Sequence, residues 1–377
     1  MCEVTTYYCH SIQTKKTDRQ MNFLPREIVG EISNSLSIKD AIELGSTNKQ
    51  FLTNLSKPDF GFRVYLDINF DTIYDVDSKR RFVIGNFKHI CVEDLDSLAP
   101  LQILCPSLTH LTFDFYFNEP IDNVDFPQSL KQLVFGFSFN QSVDNITLPP
   151  LLTHLQFGNE FNQCVDKLEF PKSLTHLQFG KNFNKPVDNL KLPISLTHLM
   201  FGYYFNQSIS HLQLPTSLTH LMFGIYFNQS VDNFELPTFL THLEFGYYFD
   251  QPVINLKLPP LLTNLTFGYH FNQSVDNLKL PISLTHLRFG DHFNQPVGNL
   301  LLPESLTHLR FGYCFNQSVD NLKLPQSLKL VKFGRKFNQH VNNLTIPPSL
   351  TKFIIGPDFN RTIDNKKLPQ SLICIRY

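Results

Sequence analysis

Apolar and polar positions follow a pattern that repeats every 22 residues over most of this chain. Prolines recur at this spacing from Pro127 to Pro369, and a Phe-Asn dipeptide recurs with them from Phe117 to Phe359, changing to Phe-Asp only at Phe249. Twelve units of the pattern L-P-x-S-L-T-H-L-x-F-G-x-x-F-N-Q-S-V-D-N-L-x fill residues 105–368, and a partial unit follows at 369–377. Self-similarity at a fixed period indicates a stack of like units that share one core.

Seven positions of each unit are apolar, and in all twelve units only Lys366 departs from this rule. Burial of one such side chain contributes about 1.5–3 kcal/mol, so the stack can offset its chain entropy although a single unit cannot. In the unit that begins at Pro193 the seven positions are Leu196, Leu199, Phe201, Phe205, Ile209, Leu212 and Leu214.

The segment L-T-H-L-x-F predicts a short β-strand in every unit, and it resembles the strand signature of leucine-rich repeats. Alternate strand residues face opposite sides, so Leu199 and Phe201 should point inward while His198 and Met200 point outward. Gly202 should let the chain turn off the strand. The predicted fold is a mainly β repeat solenoid, leucine-rich-repeat-like, with parallel strands and no helix inside the units.

Two further columns complete the predicted unit. The asparagine of each Phe-Asn pair, such as Asn206, suits a buried ladder that bonds to backbone of its own turn and of the neighbouring turns. Proline at the start of each unit should end one segment before the next strand begins.

Histidine and aspartate recur because the unit recurs. Stacked histidines could share a metal, yet Gln132, Asn264, Leu330 and Lys352 fill the same slot without disturbing the pattern, which favours a neutral polar column. The repeated Asp-Asn pairs favour turns over calcium binding. No phosphate-binding loop, nucleophile elbow or zinc-protease motif occurs, so we predict no cofactor, no metal and no enzymatic activity.

Variation between units points to a binding surface. The outward strand slot and the two slots after the glycine form continuous columns that are aromatic in the middle and basic toward the end, and Tyr and Arg are favoured anchors of protein interfaces. The alternative interpretation is that these exposed positions vary between repeats without any function. The predicted target-binding residues are Met200, Tyr203, Tyr204, Met222, Tyr226, Glu244, Tyr247, Tyr248, Tyr269, Arg288, Arg310 and Lys332.

The first 104 residues lack the period. Residues 1–20 form a polar tail that we expect to be flexible, and the apolar spacing in 21–60 predicts three short helices beginning near Pro25. Residues 61–104 form a connector and N-terminal cap, in which 87–92 is a candidate degenerate first strand that would shield the sheet edge.

The run L-P-x-E-I…I…L-S-I-K-D-A…L…T-N-K-x-F resembles an F-box, and the repeat resembles the FNIP repeat. Together they resemble the F-box and FNIP-repeat proteins of amoebae and of the giant viruses that infect them. F-boxes often carry Trp near the third helix, where this chain has Phe51. The positions that the resemblance assigns to docking are Leu24, Pro25, Glu27, Ile28, Ile32, Leu36 and Leu44.

This resemblance implies a substrate-recognition adaptor of an SCF-type cullin–RING ubiquitin ligase. Its F-box would dock onto the adaptor subunit, and its repeats would capture an unknown target protein in the cytoplasm or nucleus, in the host cell if the protein is viral. The alternative is a repeat scaffold for protein–protein interaction, unconnected to a ligase, in which the first residues only cap the solenoid.

Composition and charge limit the partners and the cellular locations that fit this chain. The 37 Phe with no Trp are mostly explained by two phenylalanine columns of the repeat. The net charge of −1 hides a C-terminal segment, 325–377, with nine basic and two acidic residues, but no nucleic-acid module accompanies it. Seven scattered Cys, no signal-peptide pattern and no long apolar run predict a protein that is neither secreted nor membrane-spanning.

Overall fold

The computed structural model describes residues 66–74, 81–87, 89–92, 108–122, 124–232, 234–364, 368–369 and 372–376. These residues contain sixteen β-strands and no helix. The tail at 1–20 and the F-box-like helices predicted for 21–60, with all seven docking positions, lie outside the described residues.

The strands are short and, from β4 onward, recur at nearly constant spacing. They are β1 (Leu66–Tyr74), β2 (Arg81–Phe87), β3 (His89–Val92), β4 (His110–Phe113), β5 (Gln132–Val134), β6 (His154–Gln156), β7 (His176–Gln178), β8 (His198–Met200), β9 (His220–Met222), β10 (His242–Glu244), β11 (Asn264–Thr266), β12 (His286–Arg288), β13 (His308–Arg310), β14 (Leu330–Lys332), β15 (Lys352–Ile355) and β16 (Ile373–Arg376).

The chain divides into two compact units. The first comprises Met1–Gln141 with Asn145–Gly158, and in it β1 and β2 form an antiparallel pair while β3 to β6 pair in parallel. The second comprises Ser142–Asp144 with Asn159–Tyr377, and in it β7 to β16 form a parallel ladder. The predicted parallel strands are confirmed, and the strand expected at 87–92 is present as β3, with Phe87 belonging to β2 instead.

The register places equivalent residues side by side. Leu199 of β8 pairs with Leu221 of β9, and Leu221 pairs with Leu243 of β10, so equivalent residues of successive repeats in the second unit form straight columns across the strands. Each strand of the repeat buries its central residue between two more exposed ones, with Leu330 of β14 as an exception. The alternation read from the sequence is therefore confirmed.

The core consists of stacked side chains from successive repeats. In one repeat the ring centroids of Phe201 and Phe205 are 4.1 Å apart, and each ring lies nearly parallel to its equivalent in the next repeat, at 5.8 and 6.1 Å. Six of the seven predicted core positions of this repeat are buried. The seventh, Leu214, is half-buried just ahead of the proline.

Prolines and asparagines both shape turns, and the predicted bond from the asparagine to a neighbouring turn is confirmed. The carbonyl of Pro193 accepts a hydrogen bond from the amide of Leu196 at 3.1 Å, which closes the turn that leads into β8. Asn206 is half-buried, and its Oδ1 accepts from the backbone N–H of Asn228 at 2.9 Å and from Nε2 of Gln229 at 3.0 Å. One side-chain oxygen thus holds the turn of the next repeat in place.

Glycine is required after the repeat strands for a different reason from the one predicted. We predicted Gly202 as a turn-permitting residue, but the decisive factor is space. A Cβ added at Gly202 would lie 1.8 Å from the carbonyl oxygen of Gly180 in the preceding repeat, and the same is true along the column. The backbones therefore approach too closely for any side chain.

Candidate protein-interaction face

The outward strand slot forms one continuous column in the second unit. Met200, Met222 and Glu244 are register partners on adjacent strands, and Arg288, Arg310 and Lys332 continue the same column further along the chain. The two methionines are half-buried, whereas the charged residues are exposed. The structure therefore brings together all six predicted residues of this column, with Thr266 between Glu244 and Arg288.

The two slots after the glycine hold a ladder of aromatic rings in contact. We call it the aromatic ladder and define it as Tyr203, Tyr204, Tyr226, Tyr247, Tyr248, Tyr269, His270 and His292. Five of its tyrosines are 36–41 % exposed, while Tyr269 is half-buried. Such a contiguous exposed aromatic surface is characteristic of interaction sites.

Most rings of the aromatic ladder cover one another's faces. Tyr226 and Tyr248 stack with centroids 4.7 Å apart, Tyr248 and His270 stack at 4.9 Å, and Tyr247 and Tyr269 stack at 4.4 Å with only 7° between their planes. The ladder therefore presents ring edges and polar groups outward. Such a surface suits hydrogen bonding to a protein better than it suits face-on stacking of a sugar or a base.

The surroundings of Tyr247 keep its phenol protonated. Its pKa is raised, chiefly by loss of hydration and then by the adjacent phenols of Tyr269 and Tyr248, a hydrogen bond with Tyr269 and the carboxylate of Asp291. The phenol thus remains protonated and able to donate a hydrogen bond throughout the neutral range.

Cations flank the aromatic ladder. Nζ of Lys181 lies 5.2 and 5.8 Å from the ring centroids of Tyr203 and Tyr204, within the range of a cation–π contact. The sequence analysis did not single out Lys181 or His292 as part of this surface. Both lie in the two slots after the glycine, and this position is the signal that could have found them.

The histidine column lies beside the outward strand slot. His176, His198, His220 and His242 stack with ring centroids 4.1–4.2 Å apart, and His286 stacks on His308 at 4.3 Å. The polar, stacked column predicted from the sequence is therefore present.

Threonines fix the tautomer of these histidines. The hydroxyl of Thr219 donates its single hydrogen to the carbonyl of Thr197, at 3.0 Å, and also lies 2.8 Å from Nδ1 of His220. Because the hydroxyl has no second hydrogen, Nδ1 of His220 must be the donor in that contact, which leaves Nε2 as an acceptor. Burial lowers the pKa of His220, and the neighbouring His242 lowers it further.

The recurrent acidic and histidine residues were also compared with metal-binding arrangements. No group of three or more His, Cys, Asp or Glu side chains in them is arranged to hold a metal ion. The repeated aspartates form turns, as at Asp232, whose amide bonds to Oγ of Ser230 at 3.1 Å. Within the same part of the chain, no helix is long and apolar enough to cross a membrane.

The fold and this face define a β-solenoid repeat protein of the leucine-rich-repeat type, a class suited to protein–protein interaction. The model of the FNIP Repeat matches residues 100–138, 117–160, 139–182, 161–192, 183–226, 227–270, 271–314, 293–336, 315–356 and 337–376. The chain therefore belongs to the FNIP repeat family. This result confirms the repeat part of the resemblance; it does not extend to the F-box segment.

Two solved structures are similar to this chain, and the first of them shows the same kind of fold. An internalin of Listeria monocytogenes is 16 % identical, with a TM-score of 0.52 over 76 % of this chain and 86 % of the internalin. CroV588, described as a novel circular LRR protein, is 39 % identical over 72 % of this chain, with a TM-score of 0.49. This chain covers 50 % of the length of CroV588. No curated protein matches the chain.

Proposed function

We propose that this chain is a substrate-recognition adaptor of an SCF-type cullin–RING ubiquitin ligase. The F-box-like segment at 21–60 docks onto the adaptor subunit of the ligase, and the aromatic ladder with the adjoining strand slot captures a target protein. The chain itself makes and breaks no covalent bond, because ubiquitin transfer is performed by the ligase and the adaptor supplies proximity. It acts in the cytoplasm or nucleus of the cell in which it is produced.

The exposed aromatic ladder is the observation that carries target capture. Its tyrosines are already ordered by mutual stacking, so a partner that binds them pays little side-chain entropy. Tyrosine and arginine are the residues that dominate binding energy at protein interfaces. Docking to the ligase is supported by the F-box-like pattern around Leu24 and Pro25.

A pull-down with the purified ligase adaptor subunit tests docking. Wild-type protein should retain the adaptor, and the double variant Leu24→Ala, Pro25→Ala should lose it. Tyr203→Ala is the matched control because it lies on the repeat face and should leave docking unchanged. Failure of the wild type to retain the adaptor, or equal retention by the double variant, would refute the ligase role.

Target capture is tested on the aromatic ladder. Substituting Tyr203 and Tyr247 with Ala should weaken capture of the target from host lysate about thirtyfold or more, since truncation of one interface anchor costs about 2 kcal/mol. The thermal midpoint should hardly change because both rings are exposed. A large drop in the midpoint would instead mean that these rings serve the core.

A scaffold unconnected to a ligase is the second candidate. It uses the same face and assigns 21–60 the role of a cap on the first unit. The two candidates differ in the docking experiment, and in the outcome of deleting residues 1–60. That deletion should leave the folding of the repeats unchanged for a docking module, and should lower the thermal midpoint for a cap.

A further inference from the structure

The outward strand slot contains a run of three cations on adjacent strands, followed by Ile354 on β15. Arg288, Arg310 and Lys332 lie on β12, β13 and β14 as register partners, and all three are exposed. Adjacent strands lie about 4.8 Å apart, so the three side chains project from a line about 10 Å long.

Two lysines widen this column into a patch. Lys329 directly precedes β14 and Lys352 begins β15, the next strand of the ladder, and both residues are exposed. We call Arg288, Arg310, Lys329, Lys332 and Lys352 together the basic strand face.

The basic strand face has no internal counterions. The ion pairs between described residues in this unit join Lys167 to Asp144 and Arg335 to Asp358, and neither involves a member of the face. Like charges on adjacent strands repel one another, which is unfavourable for folding. A ligand of opposite charge would relieve that repulsion on binding.

We infer that the basic strand face binds an acidic segment of a protein, rich in Asp or Glu. The inference deepens the proposed function, since it names the chemistry of the target that the repeats capture. Acidic residues three or four apart on a helix lie about 5–6 Å from one another, which matches the spacing of cations on neighbouring strands.

Neighbouring residues favour an acidic peptide over a nucleic acid. Single-stranded nucleic acids bind where exposed aromatic faces accept stacked bases, whereas most rings of the adjoining aromatic ladder already stack on one another. Glu244 lies in the same column as the cations, and Asp291 follows Arg288 by three residues. These carboxylates would repel any anionic chain that extended beyond the patch, so they limit the ligand to a short acidic segment.

Fluorescence anisotropy of a labelled oligoglutamate peptide on the full chain tests the inference, with an oligoglutamine peptide and an oligouridine of equal charge as comparison ligands. Oligoglutamate should bind, more weakly as salt rises, while oligoglutamine should not bind and oligouridine should bind more weakly than oligoglutamate. The triple variant Arg288→Gln, Arg310→Gln, Lys332→Gln should reduce affinity about tenfold to thirtyfold, because three exposed ion pairs contribute roughly threefold each.

The repeat itself supplies the controls. Gln156 and Gln178 occupy the same outward slot in other repeats, so the triple variant should fold, which its thermal midpoint would verify. The variant Lys257→Gln, Lys279→Gln, Lys323→Gln removes the same total charge from exposed turns and should change affinity less than twofold.

Three results would overturn the inference: no binding of oligoglutamate by the wild type, equal loss in both triple variants, or tighter binding of oligouridine. None of them depends on the ligase, because peptide binding is measured without the adaptor subunit. Loss of adaptor docking with intact peptide binding would remove the ligase role alone.

Discussion

At the scale of single residues, the glycine column sets the tightest constraint on the sequence. Within each unit, the glycine of the F-G pair lies directly against the carbonyl oxygen of the equivalent residue in the preceding repeat, as at Gly158 and Gly202. Gly298, by contrast, lies in the slot that holds Asp in most repeats, and a Cβ there would meet Cβ of Asn321 at an ordinary 3.4 Å. The chain thus carries glycines of two kinds that the sequence alone does not separate.

Gly246→Ala should therefore destabilise the second unit strongly. The added Cβ would lie 1.9 Å from the carbonyl oxygen of Gly224, and only a backbone shift can relieve that overlap, at a cost of about 3 kcal/mol or more. Chemical denaturation of the full chain measures the loss. Gly298→Ala is the matched control and should change the free energy of unfolding by less than about 1 kcal/mol.

The structural role of a residue could be predicted from the sequence where its own side chain determines that role. The inward Leu199 and Phe201 and the bonding role of Asn206 followed from alternation and from the hydrogen-bonding needs of a turn. The purpose of Gly202 did not follow, because close approach between repeats depends on three-dimensional spacing. The tautomer of His220 also required the position of Thr219 relative to the preceding strand.

At the scale of elements, hydrogen bonds between turns link each repeat to the next. Asn206 accepts from the following turn, and Asp250 does the same for the amide of Asn272 at 2.8 Å, with its Oδ1 also accepting from Gln273. This explains why the Phe-Asn dipeptide can change to Phe-Asp at that point. This position requires a side chain of the length of Asn or Asp that carries an oxygen acceptor. The second polar atom of the side chain can be either nitrogen or oxygen.

Asn206→Ala should lower the free energy of unfolding by about 1–3 kcal/mol. The backbone N–H of Asn228 and the side-chain amide of Gln229 both lose their acceptor in a half-buried site. Asn206→Asp keeps the oxygen and should cost less than half as much at neutral pH. Equal losses for the two variants would contradict the view that the Oδ1 acceptor is the stabilising atom. Urea denaturation of both variants provides the comparison.

The elements outside the repeat were harder to predict. The antiparallel pair of β1 and β2 falls in a region that we described only as a connector and cap, because its charged and β-prone residues carry no period. By contrast, the sequence predicted almost all of β3, because its residues resemble a degenerate copy of the repeat strand. Periodicity, more than intrinsic strand propensity, made the difference.

At the scale of the whole molecule, the histidine column couples stability to pH. Burial is the main cause of the lowered pKa of His220, His242, His286 and His308, and nearby histidines or cations add to it. A histidine whose pKa is lower in the folded state favours folding fully above the unfolded value of about 6.5. That contribution is lost as the pH falls below this value, because the unfolded chain takes up the proton more readily.

The thermal midpoint of the wild type should therefore fall by several degrees between about pH 7.5 and about pH 5. The variant His220→Asn, His242→Asn should lose less over this range, since Asn264 fills the same slot and contacts its own threonine at 2.8 Å. His211→Asn, at an exposed turn where other repeats have Asn, should leave the wild-type pH dependence intact. Differential scanning calorimetry at the two pH values decides the matter.

Because every repeat meets its neighbours through the same contacts, the number of repeats is free to change without redesign of any interface. Deletion of one full period, such as 216–237, would join two equivalent turns of neighbouring repeats. Deletion of a segment that is not a multiple of 22 residues would shift the phenylalanines of the following repeats out of register. The gene can thus lengthen or shorten the binding face by unequal recombination between its own repeats. A family built this way can vary the size of its target surface as readily as its composition.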